Sequence, residues 1–502
     1  QALPAEYNSA GSDVALLKCG FSLSRDIARY WNEFDPQQQS LVTSMIGRPV
    51  MDTSVVSPGA QFRLHYDTTG PETVPAEDLD VNGIPDFVDR AGVYLDSAWN
   101  LFHTKLGYLL PPDDGTSGGD SKYDVYFASI GGYGITFFDP TGPAPWDDFT
   151  SFILIHRDFA GFAPNQDPEG SQIGALKVTC AHEYFHAVQL AYDGLDDLWM
   201  YESSATWNEV ELFPEVKDNY QFLPFFYNDT DTFLTTNGGF HPYGAFVWPL
   251  YLAENYTDTL MRKIWEASIS ANGIDAIDDA LSGWGVSTGG IFADFGVWNF
   301  FTGDRAQAGY YPSGAEYPGV ILDRALPVIP FTNEHPLKAP DGLASTYMSL
   351  ATAGAPAGLA LIELTGNATV VWDMSVILKD PGGAYETRDV QMDFTKSNGT
   401  FALYNFTDWD SMFISVQVVS RFNNDNDFTL SASVLPYGDA NGSANINIAD
   451  ITYLIAYIFS FGQAPPYDVR LGDANCSGSV NIADITFLIK HIFAAGPAPC
   501  LQ

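Results

Sequence analysis

Residues 174 to 193 read GALKVTCAHEYFHAVQLAYD and follow a strand-like run, SFILIH, at residues 151 to 156. The pattern predicts a helix that carries His182 and His186 four residues apart. Two such histidines lie on one face of a helix, about 6 Å apart along its axis, so both imidazoles can bind one Zn²⁺. Glu183, beside the first histidine, can act as general base toward a metal-activated water. The sequence therefore predicts a zinc helix over residues 174–192.

A second predicted helix begins with WMYESSATW at residues 199–207. Glu202 can complete a His, His, Glu set and leave the fourth position open, as in catalytic zinc sites. The pattern resembles the gluzincin metallopeptidases, in which W-L-x-E-G-x-A-T carries the third ligand. Here Ser203 replaces the glycine, and Thr206 stands where thermolysin-like enzymes place an aspartate behind a histidine. Two alternatives stay open: Glu209 as the third ligand, and a structural zinc or chance cluster.

Residues 238–256 read GGFHPYGAFVWPLYLAENY and resemble the aminopeptidase helix whose tyrosine stabilises the oxyanion. The resemblance implies that Tyr243 is this donor, with His241 as the second candidate. An aromatic residue at the start of an apolar helix can equally be part of the core, so this alternative stays open. The amine-binding segment Gly-x-Met-Glu-Asn of the aminopeptidases does not occur in the sequence, which favours an endopeptidase.

The stretch DLDVNGIPDFVD at residues 78–89 has the spacing of a calcium loop. Gly83 stands at position six, where such a loop turns sharply. A solvated acidic turn is the alternative, and in either case the expected role is structural. The predicted ligands, with one backbone carbonyl from Ile84, are Asp78, Asp80, Asn82, Ile84, Asp86 and Asp89.

The C-terminal end is duplicated, because residues 438–466 and 472–500 align with an offset of 34 residues. Each copy joins a calcium-loop pattern to an amphipathic helix, and the second helix is expected to bury Ile485, Leu488, Ile489 and Ile492. Position six is Gly478 in the second loop but Ala444 in the first, a departure that can weaken the first site. The predicted ligands are Asp439, Asn441, Ser443, Asn445, Asn447 and Asp450, and then Asp473, Asn475, Ser477, Ser479, Asn481 and Asp484.

This duplicated pair resembles a type I dockerin, a module that binds cohesin modules on a scaffold or cell-surface protein. The resemblance implies an extracellular protein, with residues 449–452 and 483–486 reading the partner. Cys476 and Cys500 lie close enough in the sequence to close a short loop by a disulfide. Cys19 and Cys180 could form a second bridge.

Acidic residues outnumber basic ones by 62 to 22, which gives a formal charge of −40. Such a surface would repel nucleic acid and anionic membranes. A membrane-spanning helix is not expected, since the sequence contains no run of eighteen apolar residues. The first eight residues lack the basic start and apolar core of an export signal, so secretion is inferred from the dockerin resemblance.

The predicted fold is multidomain. A helical segment over residues 1–55 precedes an α+β zincin-like domain at 56–330, in which the strand at 151–156 is expected to form the edge of the substrate cleft. Short β-rich runs predict an all-β sandwich at 340–435, and the dockerin follows at 438–502. The predicted function is a secreted zinc endopeptidase that acts on a protein or peptide substrate and is tethered to a cohesin-bearing partner. The alternative is a non-catalytic, calcium-stabilised extracellular scaffold or adhesion protein.

Overall fold

The computed structural model describes residues 17–393, 395 and 397–500. Its contacts divide the chain into an N-terminal unit, Gln1–Phe226 with Thr235–Ser287, and a C-terminal unit, Tyr227–Leu234 with Thr288–Gln502. The first sixteen residues of the predicted helical segment and the last two of the predicted dockerin lie outside the described residues. Residues 288–330, predicted to belong to the zincin-like domain, fall in the C-terminal unit.

A six-stranded mixed sheet organises the N-terminal unit, in the order β1-β5-β6-β4-β3-β2. Strand β1 is parallel to β5, β5 is antiparallel to β6, and β6, β4 and β3 are mutually parallel. Strand β6 therefore has a partner on each side, and its predicted position at the cleft edge is wrong. The strands are β1 (Leu17–Cys19), β2 (Thr53–Val56), β3 (Phe62–Tyr66), β4 (Tyr123–Ala128), β5 (Gly132–Thr141) and β6 (Phe149–His156).

The described part of the segment before residue 55 is helical, as expected, but it also supplies the two outer strands of this sheet. Its second helix starts where the Asp35 side chain accepts hydrogen bonds from the amides of Gln37 and Gln38 and where Pro36 fits the first turn. The helices are α1 (Phe21–Arg29) and α2 (Pro36–Ile46). This segment is therefore part of the N-terminal unit.

Two helices of the N-terminal unit, α4 (Ser171–Gln189) and α5 (Leu198–Leu212), are buried along most of their length. Helix α4 packs against α3, α5, β5 and β6, so its histidines and glutamate lie inside the protein. The helices are α3 (Asp86–Trp99) with a π-helical continuation (Asn100–Lys105), α4 (Ser171–Gln189), α5 (Leu198–Leu212), α6 (Pro224–Tyr227), which crosses into the C-terminal unit, α7 (His241–Gly244), α8 (Val247–Asn255), α9 (Leu260–Ser268) and α10 (Ile274–Leu281).

Two five-stranded sheets of the C-terminal unit share one apolar core, as the predicted sandwich requires. Met348, Ile362, Trp372, Ile414 and Leu430 belong to this core. Two strands precede the predicted start at residue 340. The elements are α11 (Thr288–Phe300), β7 (Arg324–Leu326), β8 (Phe331–Glu334), β9 (Ala344–Ala351), β10 (Leu359–Gly366), β11 (Trp372–Lys379), β12 (Tyr385–Asp389), β13 (Met392–Asp393), β14 (Asn398–Tyr404), β15 (Ser411–Val418) and β16 (Phe428–Leu435).

The last two helices, α12 (Ile448–Ser460) and α13 (Ile482–Ala494), each follow one of the duplicated loops. Ile485 and Leu488 are buried in their shared core, as predicted, and Ile492 packs against it, whereas Ile489 is 42% exposed. Cys476 and Cys500 are joined by a disulfide, which confirms that prediction. The suggested second bridge is wrong, because Cys19 and Cys180 are both buried free thiols.

Candidate metal centre and calcium loops

The three predicted zinc ligands converge inside the N-terminal unit. Helix α4 carries His182 and His186, and α5 carries Glu202. Glu202 Oε2 lies 3.1 Å from His182 Nε2 and 3.6 Å from His186 Nε2. All three side chains are buried, so the arrangement is an internal cluster.

A fourth side chain, Cys19 on β1, joins this cluster. Its Sγ lies 3.4 Å from His186 Nε2, and the donor atoms of Cys19, His182, His186 and Glu202 all lie within 4.8 Å of one another. Sequence reasoning missed this residue, because 167 positions separate it from His186 and no local pattern relates the two.

The Nδ1 atom of each histidine, its outer nitrogen, is held by a hydrogen bond. His182 Nδ1 lies 2.7 Å from Glu209 Oε1, and His186 Nδ1 lies 2.7 Å from Gln189 Oε1. Metal-binding histidines usually make such a bond through their second nitrogen, which orients the ring. Glu209 therefore does not fit the alternative role of third ligand. Its carboxylate instead lies behind the His182 ring, a role that the Thr206 hydroxyl cannot fill.

Neighbouring charges shift the pKa values of the cluster. Burial disfavours the charged imidazolium of His182, but its hydrogen bonds with Glu202 and Glu209 outweigh burial and raise its pKa to about 9. Burial would raise the pKa of Glu202, yet electrostatic interaction with His186 and the hydrogen bond with His182 lower it to about 2. Burial, reinforced by Glu183 and Glu202, raises the pKa of the Cys19 thiol well above its usual range. Without a metal, the cluster therefore holds a proton between histidine and glutamate beside a neutral thiol.

Glu183, the predicted general base, is 1% exposed and faces strand β5. The Thr136 hydroxyl lies 2.8 Å from its Oε2. Its Oε1 is buried and has no hydrogen-bond partner among the residues that the structure describes. Gly134 allows this close approach, because a Cβ there would lie 2.4 Å from the Glu183 side chain. The Glu183 carboxylate also lies close enough to Cys19 to raise the pKa of that thiol.

The two candidate oxyanion donors differ in their surroundings. Tyr243 is 7% exposed, and its ring stacks beside His182 with 6.1 Å between the centroids. The Nδ1 of His241 instead lies 3.2 Å from the backbone carbonyl of Phe225. The structure therefore brings Tyr243 beside the cluster, while the described contacts of His241 are with the Phe225–Phe226 segment.

The donor set fits zinc in both chemistry and spacing. Bonds of about 2.0 to 2.3 Å in a tetrahedron place neighbouring donors about 3.3 to 3.6 Å apart. Three of the six separations in the cluster are 3.1, 3.4 and 3.6 Å, and all six are within 4.8 Å. Nitrogen, sulfur and carboxylate donors are those that zinc prefers. Cys19 thus supplies a fourth candidate donor where the sequence predicts an open position.

The first predicted calcium loop has its acidic residues gathered. Carboxylate oxygens of Asp78, Asp80 and Asp86 lie within 4.8 Å of one another. The Gly83 amide donates to Asp78 Oδ2 at 2.9 Å, and Gly83 has a φ of 87°. The remaining predicted side-chain ligands, Asn82 and Asp89, are hydrogen bonded to each other at 2.8 Å.

The two C-terminal loops are built alike. In the first loop, the Asp439 carboxylate accepts hydrogen bonds from the amides of Ser443 and Ala444 at 2.9 and 2.8 Å. In the second loop, the Asp473 carboxylate accepts hydrogen bonds from the amides of Ser477 and Gly478 at 3.0 and 2.7 Å. The aspartates at positions 1 and 12, Asp439, Asp450, Asp473 and Asp484, are all fully buried. These loops therefore direct carboxylates inward, as calcium loops do.

Only part of the expected partner-reading segments is accessible. Asp450 and Ile451 are buried, as are Asp484 and Ile485, so these residues cannot contact a partner. An apolar strip on each helix is exposed instead, with matching positions 34 residues apart. It consists of Ile448 and Ile482, Ile455 and Ile489, and Phe459 and Phe493, which are 42% to 64% exposed.

Comparison with known proteins supports the C-terminal assignment. Residues 437–493 match the family model described as Dockerin type I domain, so the chain contains a type I dockerin. Dockerins bind calcium and cohesin modules, and proteins that carry them are typically extracellular or associated with the cell surface.

The other comparisons give no assignment. No curated protein matches the chain. A solved chain from "Structural and functional characterization of Pseudomonas aeruginosa AlgX" is 14% identical over 21% of this chain and 27% of that chain, with a TM-score of 0.17. So low a score carries no inference about fold or function. Within the described residues, no helix is long and apolar enough to cross a membrane.

Proposed function

We propose that the chain is a secreted, zinc-dependent endopeptidase of the zincin type, held by its dockerin to a cohesin-bearing scaffold or surface protein. The observation that carries this proposal is the grouping of donor atoms of His182, His186 and Glu202 within 4.8 Å of one another, together with a buried Glu183 Oε1 that has no hydrogen-bond partner among the described residues. A cluster built for structure alone has no need of a buried carboxylate oxygen without a partner.

The residues divide the chemistry between them. Zn²⁺, when bound, would polarise the scissile carbonyl and acidify a water. Glu183 would accept the proton of that water at Oε1 and pass it to the leaving amine, while Thr136 holds its other oxygen. Tyr243 would donate a hydrogen bond to the oxyanion. Glu209 and Gln189 would keep the two imidazoles oriented.

The dockerin supplies the attachment. Its apolar strips, represented by Phe459 and Phe493, are 59% and 64% exposed, and they are suited to bury against a cohesin. The peptidase would then act beside the substrates of the complex to which it is tethered. Calcium in the loops before α12 and α13 would hold both helices in place for this contact.

A purified-protein assay tests the proposal. The parent chain and Cys19→Ala, with and without Glu183→Gln, are loaded with zinc and incubated with an unfolded protein. We expect one zinc per chain and, in Cys19→Ala, cleavage that Glu183→Gln lowers by about a hundredfold or more. Glu211→Gln, on the exposed side of α5, is the matched control and should cleave normally. Absence of zinc, or equal cleavage with Glu183→Gln, would sink the proposal.

A non-catalytic extracellular scaffold is the second candidate, and one observation favours it. Four protein donors, including Cys19, surround the metal position, and closed tetrahedral sets are typical of structural zinc. This reading predicts that Cys19→Ala lowers zinc affinity and that no variant cleaves protein.

A further inference from the structure

We propose that the N-terminal strand β1 keeps the metal centre closed, with Cys19 as a removable fourth ligand and with β1 covering the sheet edge that a peptide would otherwise use. This inference rests on the proposed peptidase function. It concerns regulation of that site, because the same residues that complete the centre also obstruct it.

The first step is the position of the sulfur. Cys19 Sγ is 3.4 Å from His186 Nε2 and belongs to the four-donor cluster. To bind zinc, the thiol releases its proton to solvent and the sulfur donates an electron pair to the metal. That bond fills the position that a catalytic site keeps for water. An engaged Cys19 and an activated water therefore exclude each other.

The second step is the backbone of β1. Cys19 pairs with Gly134 of β5, and the Gly20 amide donates to the Gly134 carbonyl at 3.0 Å. Strand β1 thus lies on the outer side of β5, next to Glu183, which packs on Gly134. Extended peptides bind by adding a strand to such an edge. With β1 in place, this edge of β5 is taken.

The third step is the anchoring of β1 to the centre itself. Lys18 is 2% exposed, and its Nζ lies 3.1 Å from Glu209 and 2.7 Å from Asp218. Phe21 stacks on His186 with 4.1 Å between the centroids. One short stretch therefore contacts His186 directly and His182 through Glu209. Withdrawal of β1 would uncover the metal, the sheet edge and the His186 ring together.

X-ray absorption at the zinc edge, combined with cleavage assays, tests the inference on the full chain. In the zinc-loaded parent we expect a zinc–sulfur bond of about 2.3 Å. Cys19→Ala should lose that bond, retain zinc and cleave an unfolded protein at least about tenfold faster than the parent, because the competent fraction rises. Cys180→Ala, which removes the other buried free thiol, should keep the bond and the parental rate.

A second variant keeps the inference testable if Cys19→Ala loses zinc or fails to fold. In Gly20→Val the cysteine remains, but a Cβ at this position would lie 2.5 Å from Ile135 Cγ1, which weakens docking of β1. We expect a smaller zinc–sulfur signal and faster cleavage. Cleavage at equal, measurable rates in parent, Cys19→Ala and Gly20→Val, or no zinc–sulfur bond in the parent, would overturn the inference. A zinc–sulfur bond with no cleavage in any variant would instead overturn the proposed function.

Discussion

Buried charges around His182 show how single residues stabilise the candidate centre. Glu202 and Glu209 flank its two nitrogens, and Lys18 bridges Glu209 to Asp218. Buried carboxylates are stable only when they are paired and hydrogen bonded. In the metal-free protein the proton on His182 provides that pairing, as its raised pKa of about 9 indicates. A divalent cation can take over this role.

The residue at position six distinguishes the two dockerin loops. Ala444 and Gly478 both have positive φ values, 63° and 87°, a region that disfavours any side chain with a Cβ. Ala444→Gly should raise the unfolding free energy of the calcium-loaded dockerin by about 1 kcal/mol, and Gly478→Ala should lower it by a similar amount. Thermal unfolding of the full chain in calcium measures both. Shifts in the same direction would show that the loop turn is not the cause.

At the level of elements, the order of the strands in the N-terminal sheet matters as much as the candidate metal ligands do. The predicted strand at 151–156 exists, but β5 pairs with it and β1 pairs with β5. Strand β1, from the start of the chain, therefore occupies the side of β5 that faces away from β6. Helix α5, which brings Glu202, begins after a short loop whose buried carboxyl offers a separate test.

Asp196 in that loop is fully buried, and its Oδ1 accepts a hydrogen bond from the Gly273 amide at 2.7 Å. Burial raises its pKa from 3.8 to about 7. Between these values the folded state keeps a proton that the unfolded state releases, so this group makes stability fall as pH rises from about 4 to 7.

Asp196→Asn should remove this dependence and be more stable than the parent at pH 8 by more than about 1 kcal/mol. Tryptophan fluorescence during thermal unfolding at several pH values is the measurement. Asp279→Asn, at an exposed position, is the control and should keep the parental slope. A variant that follows the parental pH profile would refute the assignment.

Acidity is a property of the whole molecule. The formal charge of −40 disfavours polyanions as partners, and three calcium loops would account for about six units of it if each holds one Ca²⁺. Most of the excess remains on the rest of the chain.

Equilibrium dialysis of the full chain should give three Ca²⁺ per molecule. Asp78→Ala, Asp439→Ala and Asp473→Ala should each lower that number by one, because each removes the first ligand of one loop. Two ions in the parent, with no effect of Asp78→Ala, would leave the N-terminal loop as a hydrogen-bonded acidic turn.

Features that depend on short separations along the chain could be predicted from the sequence alone. The pairing of His182 with His186 follows from helical periodicity, and the calcium loops follow from ligands spaced within twelve residues. The disulfide between Cys476 and Cys500 could be predicted because the loop that it closes is short. In each case the local backbone path brings the groups together, so their spacing in the chain carries the information.

Tertiary packing alone brought Cys19 to His186 and Lys18 to Glu209, across 167 and 191 residues. It also assigned Glu209 to the outer nitrogen of His182 and placed β1 beside β5. These contacts depend on the order of strands and on how a buried helix is enclosed, and no local spacing encodes either. The pair of candidate ligands, His182 and His186, was therefore readable in the sequence, whereas the fourth candidate donor, Cys19, followed from the fold.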